Sequence, residues 1–549
     1  MIAHGRLGTA ALVAVLAFAL AATQVWAAGE ADSAAAGSTA ESGYTLPIVE
    51  PGSVTLSYAG WEHPVGFGDG PVWQQIMADT GVTIDWQVVP SNEYTTFIKT
   101  RIAAAADLPD MLTLGWNYVV GSPVDLHAQG ATIKLTELVD RYAPNTKRLL
   151  EEFTEMRPAL VAPDGEVYAT AARTVPPISN YKNWYIREDW LETLGLDKPE
   201  TLDDWLTVAK AFATQDPNGN GEQDEVALSA RTLWQLEWFG ASGLDLDIYY
   251  SFGFSLDNGV LSYDYISPGY RDYLAFLNEL YEAGALAQEI TQSAQIQNSL
   301  NSDDRLGGFW TGIGGVLFRN RLLSESDIAG TYTWTPLPKN PQGASRYVHE
   351  PLVGAATVIT SQSKNPEVAI KWLDYVWASP QGYLYSNYGL EGEHYNINPS
   401  QSSNSPWLKH FAGLPEYSDA IRNNDEGKSV QTVLADIGAF NHPLYADDDE
   451  SFAARFSQDP FSYELTQLAA PIAVSPFPRY LGSPEQDRRL RALREEINPT
   501  QEEWTFKFIT GQESLDRFDD YVATMKRVGV DELVEIIQQQ HDDYTASTR

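Results

Sequence analysis

Apolar residues recur with two periods along this chain, and the switches between them sketch its secondary structure. Val54-Thr55-Leu56-Ser57-Tyr58 and residues 82–90 alternate every second position, as a strand with one buried face does. Between them, Pro71–Thr80 sets Trp73, Ile76 and Met77 on one helical face. Residues 94–106 predict the next helix and 111–114 a third strand. Strands alternating with helices of this length predict βαβ units and a mostly parallel sheet. Ligands bind such sheets beyond the carboxyl ends of the strands, which points to Gly115-Trp116-Asn117-Tyr118.

The pattern continues with helices at 135–142 and 145–153 and a strand at 167–170, before an irregular stretch at 173–181. Residues 183–196 run from strand to helix, with Gly195 as the stop. Thr201 and Asp204 form a capping box that opens a helix to Thr214. Residues 306–315 read as a strand ending in glycine-rich chain. Strands follow at 332–338 and 355–359, an amphipathic helix at 365–378, and a mostly helical region from Pro484.

The helix ending at Thr214 leads into the most informative loop. Asp216, Asn218, Asn220, Asp224 and Glu225 place side-chain oxygens at close spacing, and the Glu222 carbonyl adds another. Ca²⁺ takes six to eight such oxygens, and Gly219 and Gly221 permit the turn. The first half matches the EF-hand pattern. The second departs from it: position twelve is Ala227 and the acid falls at position ten, Glu225. A calcium loop without the helix-loop-helix frame is the expectation, and a polar glycine-rich connector is the alternative.

Length and composition narrow the class. A chain of 549 residues holds two or more domains, and the lack of cysteine excludes disulfides, zinc-thiolate sites and a lipid-modified N-terminal Cys. A formal net charge of −38 opposes nucleic acid and anionic membranes. It also opposes a uronate polymer unless Arg residues converge; Arg173 is the one candidate placed from sequence. The N-terminus reads as a signal peptide, residues 1–27, with Val25-Trp26-Ala27 as the cleavage site, followed by a flexible tether at 28–45.

Several stretches together resemble one family, the larger extracellular solute-binding proteins of ABC importers of oligosaccharides. They are Ala106-Asp107-Leu108-Pro109-Asp110, residues 184–196, the Asp216–Glu225 loop, residues 389–395, and Phe508-Ile509-Thr510-Gly511 before Asp531-Glu532-Leu533. The loop resembles that of the alginate-oligosaccharide-binding members. The resemblance implies an α/β, two-lobe periplasmic-binding-protein fold with hinge-crossing strands and a helical C-terminal region. Lobe 1 is expected from 46–172 with 331–388, and lobe 2 from 183–330 with 389–549. It further implies a non-catalytic, monomeric protein that hands an oligosaccharide to ABC permease subunits and holds structural Ca²⁺. Without a Cys to acylate, the chain is expected in the periplasm as a released protein.

A sugar site needs flat aromatic faces and bidentate polar groups. Trp116 and Trp310 follow strand ends, and each can line a cleft or pack a core. Trp234 and Trp238, at i and i+4, are further candidates, with one of them expected to pack its helix down. Tyr388 and Glu393 flank an expected crossing, and Arg173 lies near another. No metalloprotease or serine-hydrolase motif is present, although the 74 acids leave an exported polysaccharide-degrading enzyme as the alternative.

Overall fold

The computed structural model describes residues 44–61, 68, 70–115, 121–173, 182–349, 351, 353–403, 408–422, 430–439, 465 and 467–547. The expected signal peptide, most of the tether and Trp116 lie outside them. Tyr44, at the end of the expected tether, is anchored: its ring is buried and its hydroxyl donates to Asp374 across 3.0 Å.

Two five-stranded sheets organise the chain. The first runs Val82–Val89, Val54–Trp61, Met111–Gly115, Val353–Ile359, Thr170–Arg173. Its first three strands are parallel, and Val353–Ile359 enters antiparallel to both neighbours. The second runs Tyr332–Trp334, Asn183–Arg187, Leu306–Thr311, Val226–Ala230, Leu286–Thr291. Its last three strands are parallel to one another, and the first two pairings are antiparallel. Asn183–Arg187 is buried at every residue, as befits an inner strand covered on both faces.

Local sequence explains the ends of the elements. The expected capping box is formed: Thr201 accepts from the Asp204 amide, and Asp204 accepts from Thr201, opening Leu202–Thr214. Ser483 and Gln486 do the same for Pro484–Ile509, with Pro484 in the first turn. Gly312 ends one strand and starts the helix Ile313–Glu325, so the glycine-rich stretch is a helix entry.

Each sheet has its own core. Trp73, Trp372 and Trp377 fill the first, around Leu56, Tyr58 and Leu112; Trp184, Trp190, Trp205 and Trp238 fill the second, with Phe212 and Phe239. Most of the tryptophan richness is therefore structural.

The cores divide the chain at different points from those expected. Tyr332–Trp334 pairs with Asn183–Arg187, and Tyr347 and Val348 belong to the second core. Tyr395, Leu408, Tyr417, Ile421, Leu434 and Ala439 belong to the first. The passages between lobes thus fall at 173–183, 348–353 and beyond 439, and neither Gly330 nor Gly389 is a crossing. Gly389 instead follows the helix Pro380–Asn387, with φ +87°. The lobes also touch away from the passages. Arg491 on Pro484–Ile509 pairs with Asp125 on Pro123–Ala128, and the Ser122 hydroxyl bonds Asp487.

Candidate ligand site and metal loop

The parallel strands of the second sheet end at Ala230, Thr291 and Thr311. Beyond the first two lies a hollow of about 440 Å³, lined by Arg231, Trp234, Gln235 and Gln292 among others. This is where an open α/β sheet presents its ligand crevice. The hollow takes its aromatic wall from Trp234. That ring stacks on Tyr249 at 4.8 Å and 20°, and meets Trp310 edge-on at 5.1 Å and Tyr250 at 5.1 Å. Lys182 Nζ donates to the Tyr250 hydroxyl across 2.9 Å and lies 6.0, 5.6 and 5.7 Å from the rings of Trp234, Tyr250 and Trp310. The indole N–H groups of Trp234 and Trp310 are buried without a partner among the described residues. Such a group costs about 1–3 kcal/mol and favours any arriving acceptor.

A second cavity, about 370 Å³, lies at the passages between the lobes, against Pro158, Phe252, Pro351, Val353 and Phe477. Its walls are mostly apolar, with Glu155, Tyr250, Ser475, Arg479 and Tyr544 adding polar groups, whereas the strand-end hollow is predominantly polar in its lining residues.

The structure separates the sequence candidates. Trp234 and Trp310 meet, but Trp310 is 7% exposed, belongs to the second core and stands behind Trp234 rather than in the lining of the hollow. Trp238, 1% exposed, packs edge-on against Trp205 and Phe239 and is a core residue. Tyr388 is fully buried in the first core against Tyr383, Tyr395 and Tyr417, because the hairpin that carries Tyr395 and Tyr417 packs onto that lobe. Glu393 is exposed in the following turn. Arg173 ends its strand opposite Val353. Sequence reasoning missed Lys182, Tyr249, Tyr250, Arg231 and Gln292. The strand-end rule, applied to residues 226–230 as it was to 111–115, points to Arg231.

The Asp216–Glu225 loop lies at the opposite end of the same sheet, beside the turn before Leu306–Thr311. Asn218 donates to the Asp304 carbonyl across 2.8 Å, and Arg305 Nε contacts the Asp224 carboxylate at 2.6 Å and its carbonyl at 3.0 Å. One strand length, roughly 17–20 Å, separates the two ends. The side-chain oxygens wrap the loop's own amides. Asp216 accepts from Asn220 and Gly221 at 3.0 and 2.9 Å, Asn218 from Asn220 at 3.0 Å, and Asn220 from Glu222 at 2.6 Å. Asp216 itself holds φ +48°, and Gly219 and Gly221 hold +71° and +86°.

Glu225 differs from the other loop acids. Both its carboxylate oxygens are buried and accept from no side chain among the described residues, and the nearby backbone amides of Asp224 and Glu225 ease the charge only in part. Burial, with Asp216 and Asp224 nearby, raises its pKa above the usual carboxylate value. An acid held this way fits a missing cation. Among the described residues no three His, Cys, Asp or Glu side chains gather as a metal site on their own, so the donor set depends on Asn side chains and a backbone carbonyl.

Two lobes, each with a mostly parallel sheet, and a strand-end hollow define a binding protein of the periplasmic type. A family model of bacterial extracellular solute-binding proteins matches residues 66–382, more than half of the chain. The fructooligosaccharide ABC transporter substrate-binding protein FusA of Streptococcus pneumoniae is 26% identical, covering 92% of this chain and 93% of its own length. The alginate-binding protein AlgQ2, solved without calcium ion, has a TM-score of 0.71 at 22% identity, over 92% of this chain and 99% of that one. A FusA EF-hand mutant in complex with fructo-nystose has a TM-score of 0.68 at 22% identity, over 90% and 99%. The chain belongs to the bacterial extracellular solute-binding proteins. No helix among its described residues is long and apolar enough to cross a membrane.

Proposed function

We propose that the protein is the substrate-binding component of an ABC importer and captures an oligosaccharide between its lobes. It then delivers the sugar to the membrane permease as a monomer, without chemistry on it. The observation that carries this reading is Trp234, backed by Trp310, in the wall of a polar hollow at the strand ends. Indole faces cover the C–H faces of sugar rings, while Arg231 and Gln292 supply hydrogen bonds. Trp116 and Arg173 are assigned to the facing lobe. The leader, residues 1–27, is removed on export, and the released chain works in the periplasm.

We assign Ca²⁺ to the Asp216–Glu225 loop, held by Asp216, Asn218, Asn220, Asp224, Glu225 and the Glu222 carbonyl. The buried Glu225 carboxylate supports this, as does the mention of calcium and of an EF-hand for AlgQ2 and FusA. The ion is structural, since the loop is a strand length from the hollow.

Titration calorimetry against a panel of oligosaccharides tests the assignment. Saturable binding with unchanged sugar is expected. New reducing ends would make it an enzyme instead, and binding of peptides in place of sugars would overturn it.

A further inference from the structure

Beneath the strand-end hollow, a buried cation sets the direction of a chain of hydrogen bonds. Arg319 is 7% exposed, and a guanidinium can only donate. Its Nη2 donates to Gln297 Oε1 across 2.9 Å, so the Gln297 amide must point its NH₂ the other way. That NH₂ donates to the Ser229 hydroxyl at 2.8 Å and to the Ser229 carbonyl at 3.2 Å. The carbonyl can only accept, which fixes the same direction independently. The Ser229 hydroxyl then has one proton left, and it goes to Gln292 Oε1 at 2.7 Å. Gln292 lines the hollow with its oxygen already engaged, and its NH₂ is left to face a ligand.

A second chain arrives at the same result. Gln235 Oε1 accepts from the Arg231 amide across 2.6 Å, so Gln235 too has its NH₂ to offer. Arg231 lines the same hollow, exposed, with no ion pair among the described residues. No carboxylate lines the hollow. Arg319 also lacks a carboxylate partner, and its Nη1 is buried without any hydrogen bond among the described residues. Burial pushes Arg319 down to about 10, with Arg231 adding to the effect, so it remains charged at neutral pH.

We propose that this floor is an anion-reading subsite, and that the captured oligosaccharide carries a carboxylate, as in a uronic acid residue, that docks on Arg231, Gln235 and Gln292. The inference rests on the oligosaccharide reading and deepens it. A carboxylate only accepts, through about four lone-pair sites, and two amides with a guanidinium are all donors. The Thr232, Thr291 and Ser293 hydroxyls of the hollow can serve a neutral sugar as well, so what singles out an anion is the Arg231 guanidinium with no carboxylate against it among the described residues. The chain's net charge of −38 opposes an anion from afar. Screening limits that opposition to charges within about 8 Å at physiological salt, and no carboxylate lines the hollow among the described residues. Arg231, rather than Arg173, is then the residue that overcomes the overall acidity.

The test is calorimetry on the full chain with trisaccharides of galacturonate, mannuronate and guluronate, their methyl esters, and a neutral fructo-trisaccharide. At least one uronate is expected to bind tenfold or more tightly than its own ester, with affinity falling as salt rises. Arg231→Gln is expected to weaken that uronate ten- to a hundredfold and its ester by clearly less, so that the preference for uronate over ester narrows. Gln292→Glu, which puts an acceptor where a donor stood, should weaken it at least as much, with both variants melting near wild type. A neutral sugar or ester binding as tightly as every uronate would overturn the subsite and leave the oligosaccharide reading standing. So would an Arg231→Gln variant with wild-type uronate affinity. No binding by any sugar would overturn both.

Discussion

Arg491 Nη1 lies 3.0 Å from Asp125 Oδ2, fastening the long helix Pro484–Ile509 of the second lobe to the short helix Pro123–Ala128 of the first. The Asp125 side chain is 1% exposed and that of Arg491 32%. Burial raises the Asp125 pKa, and Arg491 with Arg488 opposes the rise. Removing Arg491 strands the carboxylate. Arg491→Ala should destabilise by about 1–3 kcal/mol at pH 7, between the limits for exposed and buried pairs. Because the folded pKa is raised, charged Asp125 costs stability above its ordinary value of 3.8. The deficit should therefore shrink as pH falls toward that value, and Asp125→Asn should recover it at pH 7. Urea unfolding at the two pH values checks both points.

Glu237 gives a second pH dependence. It accepts from the Tyr265 hydroxyl across 2.7 Å, and burial, with Glu502 adding, pushes it up to about 8. Between its ordinary 4.5 and about 8 the folded chain keeps a proton that the unfolded chain releases, so stability falls as pH rises through that window. Glu237→Gln removes the titration. The variant should match wild type near pH 4 and melt higher at pH 9, by a few kcal/mol at most, one pKa unit being about 1.4 kcal/mol. A lower melting point at pH 9 would count against it.

Calcium should stabilise wild type and leave Glu225→Gln unchanged. At 100-fold excess over Kd the ion adds about 2.7 kcal/mol to wild type, and chelator should lower its Tm by several degrees. Glu225→Gln should lose that response. In chelator it should be the more stable of the two, since it no longer buries a charge without a side-chain partner. Thermal melts with and without chelator decide.

Trp234 and Trp238 are one helical turn apart and should behave differently. Trp234→Ala should weaken sugar binding by about 2–4 kcal/mol with a smaller effect on folding. Trp238→Ala opens a cavity in the second core and should cost about 3–5 kcal/mol of stability. Calorimetry paired with denaturant melts separates the two effects.

The α/β architecture and the capping box at Thr201 were legible because each depends on local pattern. The passages between lobes were not. Gly330 and Gly389 look like linker residues, yet each sits within a lobe, and what places them there is strand pairing and Tyr395 and Tyr417 packing on Tyr388. The helical pair Trp234 and Trp238 shows the same limit. Spacing puts both on one face, but only tertiary packing tells which ring meets Trp205 and which meets Trp310. The Arg319-to-Gln292 chain joins residues from two strand ends and two helices, so no local pattern could announce it.

The position of Val353–Ile359 inside the first sheet has a consequence for how the molecule is made. This strand joins Met111–Gly115 to Thr170–Arg173, yet every strand of the second sheet precedes it in the chain. A polypeptide emerging N-terminus first therefore completes the later sheet's strands while the earlier sheet still has a gap at its fourth position. The first lobe cannot close its core until long after its opening residues have appeared, and contacts of such sequence separation form slowly. Until then the N-terminal third lacks the strand that joins Met111–Gly115 to Thr170–Arg173.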